Sequence, residues 1–474
     1  MNLKNKILKG GFFLGIASIV SQLNAIVLNI ILAKLLFADD FGLIALATTF
    51  IGFITMVFSV GLGSAIIHFN KSSQNQISTL YILNYIVAII TFLIVFFSAS
   101  FASQYYDNLQ LEPLIKWCSI SILITPFFIV HFKILERDLE FNKISRIVIY
   151  CNILSAVFSV TAAYLGMGVY ALVVQALSTS FFKLFFTLYF SKWKPILYFN
   201  FNQVKHMIWY AVKFRVATGF LYFERNIDYL ILGKFFSPTT LGYYSFSYNV
   251  MYTPVKRVSS IFTDVLFPSL SSVQHDTKRI IDIYFKSMQL IGLVTFPAMT
   301  LIALNAEWIV LFLFGEKWIG AVPILQILCF AGAFQSISQF STVVLDSIGK
   351  PELSLYVSFF RGAITVLAIL LGYPYGILTV AYLILLTKVL GLVFVLVIIR
   401  LKIKFSFNIL FSHLIGICIA IAGLFLSEFI FQKLFVLYNF DFVKLISQSI
   451  VVSVLIWIFY KNIIKQFISN LLKK

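Results

Sequence analysis

The chain has 474 residues, of which 61% are hydrophobic and only 11% charged, with a mean hydropathy of +0.97 and a formal net charge of +18. A soluble fold would have to bury that apolar excess in one core, and single cores stop growing near about 250–300 residues, which excludes an ordinary soluble globular class. The basic balance would point to nucleic acid in a soluble protein, but in a membrane protein basic residues collect in cytoplasmic loops, so nucleic acid is not needed to explain it.

Lys4, Lys6 and Lys9 precede the first apolar run. That run exceeds the ~20 residues needed to span a bilayer. No small-residue cleavage site follows, so it reads as a retained helix and not as a removed signal peptide. In chain order, hydropathy predicts spans at 11–35, 42–67, 79–102, 113–133, 144–164, 168–190, 209–232, 241–266, 283–305, 321–345, 352–372, 376–399, 409–430 and 443–462. Turn chemistry separates them, including Asp39-Asp40, Ser72-Ser73, Asp107-Asn108, Ser237-Pro238 and Gly349-Lys350-Pro351. The longest connections fall near 191–208, 267–282 and 306–320, too short for a soluble domain. No GxxxxGKS, GxxxxGKT, GxGxxG or HExxH pattern occurs. Cys118, Cys151, Cys329 and Cys418 lie in apolar segments without metal spacing and read as small hydrophobes.

Charge tests this segmentation. With a cytoplasmic N-terminus, 22 of the 36 Lys and Arg fall in cytoplasmic segments, and five (Lys34, Lys234, Lys317, Lys433, Lys444) fall opposite. One span missed or invented would scramble that bias, so the positive-inside rule supports fourteen spans with both termini cytoplasmic.

The chain also repeats. At an offset of 200 residues, ILAKLLF at 31–37 faces ILGKFFS at 231–237, and Phe41-Gly42 faces Leu241-Gly242. An even number of spans separates the partners, so the repeat is parallel. It divides the chain into a first lobe at 1–190, a cytoplasmic linker at 191–208, a second lobe at 209–399, and a last pair of helices with a basic tail at 400–474. The fold class is therefore an all-α integral membrane protein, with two parallel six-helix lobes plus two extra C-terminal helices. Parallel halves around a central site are a recurring transporter plan.

Nine basic residues remain at membrane depth: Lys116, Lys183, Lys213, Arg215, Arg225, Lys256, Arg257, Arg361 and Lys388. Four acids join them: Glu224, Asp228, Asp264 and Asp346. Charge in lipid costs about 2.5–3.5 kcal/mol per residue on insertion scales, so such residues face a cavity or one another. Lys116 and Lys183 stand near the ends of their spans and are placed to snorkel. The span at 209–232 is densest. Arg215, Tyr222, Arg225 and Asp228 form a rough stripe on it, and Glu224 and Asp228 share a face. Arg257, Ser260 and Asp264 form a second stripe on the next span, beside Pro254, which should bend that helix. Arg225 with Asp228, or Arg361 with Asp346, read equally as internal ion pairs that fix packing. Ser18, Ser21, Gln22, Asn24 and Asn29 on the first span line a cavity or bond between helices. His68 reads as an interfacial residue. Trp117, Trp193, Trp209, Trp308 and Trp318 read as interface anchors. The surplus of cations over acids at depth calls for a multiply anionic ligand.

Stretch 31–42 with GLGSAII at 61–67, NIDYLILGKFFSPTTLGYYS at 226–245, VLFPSLS at 265–271 and LFGEKW at 313–318 resemble the Wzx-type polysaccharide flippases. The likeness is to the colanic-acid and teichuronic-acid exporter branch, in the superfamily of the MATE multidrug exporters and the lipid II flippases. The resemblance runs from about residue 5 to 400. It implies a MATE-like two-lobed fold, a cationic central cavity and alternating access. It also implies an undecaprenyl-pyrophosphate-linked oligosaccharide as cargo, turned across the bacterial inner membrane for O-antigen, capsule or exopolysaccharide. On that reading Arg215, Arg225, Lys256, Arg257, Arg361 and Lys388 bind substrate. Glu224, Asp228, Asp264 and Asp346 tune them or couple transport to protons or sodium. No other cofactor is expected; membrane lipids, a polysaccharide polymerase and a chain-length regulator are the expected partners. The lipid II flippases place key arginines on the first lobe, whereas the cations here lean to the second. A cation-coupled drug exporter is the rival within transport, but it needs an acidic cavity. A membrane-embedded glycosyltransferase or polymerase is the rival from another class. It needs a sizeable extracytoplasmic loop or an acidic catalytic motif, and Asp39-Asp40 is the only adjacent acidic pair outside.

Overall fold

A computed structural model describes residues 3–273 and 276–403, with Phe405, Cys418, 421–426 and Gln448. The spans predicted at 409–430 and 443–462 lie almost wholly outside the described residues. The described chain is helical, without strands: α1 Leu3–Leu35, α2 Ala38–Phe58, α3 Leu62–His68, α4 Gln74–Tyr105, α5 Leu111–Arg137, α6 Phe141–Tyr164, α7 Tyr170–Phe190, α8 Phe201–Phe235, α9 Pro238–Ser272, α10 Thr277–Leu304, α11 Ala306–Leu313, α12 Val322–Ser347, α13 Pro351–Gly372 and α14 Ile377–Ile403. Ten described helices are long and apolar enough to cross a membrane, and this is a multi-pass membrane protein. Neither α8 nor α9 is among those ten, because both are rich in charged and polar residues. Each has 35 residues. At ~1.5 Å rise per residue, such a helix is longer than a hydrocarbon core of ~30 Å.

Contacts divide the chain into two compact units, Met1–Gly242 and Tyr243–Lys474. In the first, α1 packs on α6, α6 on α7, α5 on α4 and α7, and α8 on α2 and α3. Leu28, Leu32 and Leu36 of the first helical hairpin bury against Ala162, Ala163, Ala171 and Leu172. The polar stripe of α1 meets α6: Asn24 donates to the Asn152 carbonyl at 3.1 Å, and the Asn152 amide donates to Ser21 Oγ at 2.9 Å. Ser21 and Asn24 are therefore bonds between helices.

The span read as continuous at 42–67 is broken. α2 ends at Phe58, Ser59 is extended, and Gly61 takes φ +67° before α3 begins. Only glycine enters that left-handed region freely, which is why the break falls there.

The segment read as a linker at 191–208 is extended only to Asn200, whose side chain caps α8 by accepting from Asn202 N–H at 3.1 Å. The extended part is tied to the start of α4. Trp193 Nε1 donates to Gln74 at 2.7 Å, Gln74 donates to the Lys194 carbonyl at 2.6 Å, and Ile196 N–H donates to Ser78 at 3.1 Å.

The 200-residue offset recurs in the backbone. α1 and α8 end at Leu35 and Phe235, and α2 and α9 begin at Ala38 and Pro238. The two N-terminal turns touch reciprocally. A Cβ on Gly42 would sit 1.9 Å from the Pro238 carbonyl oxygen, and one on Gly242 would sit 1.8 Å from the Ala38 carbonyl oxygen. Backbone lies on backbone, and only glycine leaves the room.

In the second unit, α12 packs on α10, α13 and α14. Tyr284 and Thr295 of α10 bond to Ser341 and Ser336 of α12 at 2.8 and 2.9 Å. Trp318, predicted as an interface anchor, is instead fully buried. It stacks on Phe246 at 4.4 Å in the turn that follows Gly315, whose φ is +94°. Its indole closes the packing of that turn onto α9. Trp117 and Trp209 are exposed, as anchors are. α9 runs through Pro254 as unbroken helix.

Candidate functional site

α8 carries the charges at depth in the first unit. Its residues 215, 219, 222 and 233 pack antiparallel along α2. Tyr222 Oη donates to the Thr49 carbonyl at 3.3 Å and lies over Gly52, where a Cβ would approach it to 1.8 Å. Gly219 admits Met56, and Gly233 admits Leu46. This is small-residue packing of the kind that brings helix backbones close in lipid.

Arg215 stands at the end of that stripe. Its Nη2 donates to the Thr55 carbonyl at 2.9 Å and its Nε to the Met56 carbonyl at 3.2 Å. Those belong to the last turn of α2, where the Thr55 carbonyl also accepts from the Ser59 N–H at 2.9 Å and the helix dipole is negative. The guanidinium therefore caps α2 at its break. No acid pairs with it among the described residues.

Arg225 differs. It is exposed on α8. The ion pair it was expected to make with Asp228 is absent among the described residues. Asp228 is buried, with 5% of its surface exposed, and accepts from the Tyr229 N–H at 3.0 Å. Arg225 therefore does not continue the stripe of Arg215 and Tyr222. Glu224 is half-buried.

The remaining predicted residues lie in the second unit. Lys256 is exposed on α9, and the half-buried Arg257 accepts at its carbonyl from Ser260 at 3.0 Å. Asp264 lies on α9 with its side chain outside the described residues. Arg361 is buried at 9% exposure, and its Nη2 donates to the Ser338 carbonyl at 2.8 Å and to Ser338 Oγ at 2.6 Å. It lies across Gly391 of α14, where a Cβ would come within 3.1 Å of Arg361 Cγ. Lys388, half-buried, is one turn earlier on α14. Asp346 makes no ion pair among the described residues with the Arg361 the sequence paired it with.

The two lysines expected to snorkel have partners. Lys116 pairs with Glu112 at 2.5 Å. Lys183 lies over Phe128 and Phe132, at 5.3 and 4.9 Å from their ring centres. His68 stacks on Tyr210 at 4.1 Å. Sequence reasoning missed Ser338 and the buried amides Gln289 and Gln335, whose side-chain oxygens have no protein donor among the described residues. The run QSISQFST at 335–342 was the signal for Ser338 and Gln335. Among the described residues no group of three metal-ligating side chains occurs.

Against known proteins, a family model described as "Polysaccharide biosynthesis protein" matches residues 31–323. The chain is 26% identical over 381 residues to the lipopolysaccharide biosynthesis protein WzxC of Escherichia coli K12, covering 78% of this chain and 76% of that one. It is 27% identical over 307 residues to the teichuronic acid biosynthesis protein TuaB of Bacillus subtilis 168, covering 64% and 63%. Among solved structures, the lipid II flippase MurJ in an inward closed conformation superposes with a TM-score of 0.76 at 14% identity, covering 96% of this chain and 99% of that one. That likeness concerns the fold.

Proposed function

We propose, from the premise that the chain belongs to the polysaccharide biosynthesis protein family, that it is a flippase for lipid-linked oligosaccharides. It moves undecaprenyl-pyrophosphate-linked repeat units across the bacterial inner membrane by alternating access and supplies a surface polysaccharide. One observation carries the reading beyond family: α8 holds two arginines at membrane depth, Arg215 and Arg225, and neither has an acidic partner among the described residues. Uncompensated cations in lipid are costly and mark a path for an anion. Guanidinium forks hold pyrophosphate bidentately. The polyprenyl tail stays in lipid, so only the head group has to enter the protein.

In this reading Arg225, Lys256 and Arg257 meet the head group and its acidic sugars, and Arg361 and Lys388 contribute from α13 and α14. Glu224, Asp228, Asp264 and Asp346 tune these cations or couple the cycle to protons or sodium. The two repeats form two six-helix lobes that rock about the cargo, with two further helices after residue 400. Both termini are cytoplasmic, and a polymerase and a chain-length regulator act on the product outside. A drug exporter with a cationic substrate is disfavoured by the sign of the charge on α8.

Deletion of the gene tests the reading. Undecaprenyl-linked repeat units are expected to accumulate on the cytoplasmic face while the surface polymer disappears, as measured by lipid extraction and polymer staining. Unchanged polymer and unchanged lipid intermediates, in a strain with no related flippase, would overturn it.

A further inference from the structure

α8 bridges the break between α2 and α3 at three points, while α4 and α5 also pack on both helices. Below the break, the ring of His68 stacks on Tyr210, and Phe69 packs edge-on against His206 and Tyr210 at 5.0 and 5.8 Å. Above it, Tyr222 and Gly219 hold α2. At the break itself Arg215 spans, with its Cβ and Cδ 3.7 Å from where a Gly61 Cβ would stand. Ser59 and Gly61 supply a backbone that bends without steric penalty, since one is extended and the other left-handed. The last turn of α2 therefore ends on two carbonyls that Arg215 holds, Thr55 accepting from the Ser59 N–H as well.

That side chain is divided in its loyalties. Its Nε and Nη2 serve neutral carbonyls at 3.2 and 2.9 Å, while no bond or ion pair engages Nη1 among the described residues. A carbonyl neutralises none of its charge. A phosphate oxygen would, and hydrogen bonds between ionised groups are about twice as strong as neutral ones. Phosphate would therefore compete successfully for the same fork.

We infer that Arg215 is a latch that couples binding of a phosphate-bearing head group to the hinge at Ser59–Gly61. Unliganded, the guanidinium caps α2 and fixes its angle to α3. A phosphate group draws it off the Thr55 and Met56 carbonyls, and the hinge is released. Arg215 is thus a positioning residue whose charge reads the cargo and whose donors hold the backbone. The inference rests on the anionic cargo proposed above.

The test uses the full chain with spin labels at Thr48, exposed on α2, and Ile67, exposed on α3. Distances between the labels are measured by double electron–electron resonance, with inorganic pyrophosphate as probe and chloride at equal ionic strength as control. The expected result is a pyrophosphate-dependent shift of the distance distribution in the parent protein. Arg215→Lys, which keeps the charge, retains the shift, and starts from a broader distribution because an ammonium cannot span two carbonyls. Arg215→Gln, which keeps one amide donor and loses the charge, abolishes the shift or moves its midpoint at least about tenfold higher. A shift of equal size and midpoint in Arg215→Gln overturns the latch. So does the absence of any shift in a labelled protein that still exports polymer, and in that case the cargo reading stands. Conversely, labels that respond in a protein whose deletion leaves the polymer intact would sink the cargo reading and leave the latch.

Discussion

Arg215 and Arg225 stand on one helix, ten residues apart, and their surroundings are opposite. Arg215 is held by two carbonyls of α2; Arg225 projects from α8 with no partner among the described residues. Arg225→Ala is therefore expected to abolish polymer export while leaving membrane insertion and melting temperature unchanged, as measured by polymer assay and a thermal melt in detergent. Retained export would remove Arg225 from the path. The sequence identifies α8 as the helix dense in charge. It does not distinguish these two roles, because the distinction depends on which helix lies alongside. The pairing of Arg361 with Asp346 fails for the same reason: both residues are polar and near in sequence, but Ser338 lies closer to the guanidinium. Trp318 misleads in another way. Aromatic residues near helix ends favour the interface as a class, yet this one fills a turn beside Phe246.

At the scale of elements, the apolar periodicity and the turn residues were enough to place nearly every described helix. The turn at Ser237-Pro238 marks the start of α9, which begins at Pro238, ahead of the span predicted from 241. The break in α2 was hidden because residues on both sides are apolar, and hydropathy averages over a gap of three residues. Two predictions belong here. Asn152→Ala removes the side-chain bond from α6 to Ser21 of α1 and keeps the backbone carbonyl that Asn24 donates to, and should lower the unfolding free energy by about 0.5–1 kcal/mol, as read in a denaturant titration. Gly42→Ala and Gly242→Ala each drive a methyl group into a carbonyl oxygen. Each should destabilise by about 1–3 kcal/mol or more, since backbone cannot step aside as a side chain can. Gly15→Ala, where nothing lies within 4 Å, should cost nothing in the same melt.

For the whole molecule, composition and charge bias suffice for a multi-pass membrane protein, and the motifs for its family. The charge bias goes further and predicts direction, with Ser72 expected on the cytoplasmic side and Asn108 outside. Single cysteines at those positions in a cysteine-free background should label oppositely with a membrane-impermeant maleimide on intact cells, Asn108→Cys reacting and Ser72→Cys not. The reverse pattern would invert the orientation. What composition cannot supply is the identity of the sugar, since a count of cations carries a sign of charge and no glycan shape.

The reciprocal contact at Gly42 and Gly242 has the form taken by two identical chains about a two-fold axis, in which residue i of one touches j of the other and j touches i. Ala38 meets Gly242 as Pro238 meets Gly42. Within one chain the same symmetry makes the two glycines equivalent: a methyl group at either forces apart the same pair of helix starts, so Gly42→Ala and Gly242→Ala combined are expected to cost less than the sum of the two.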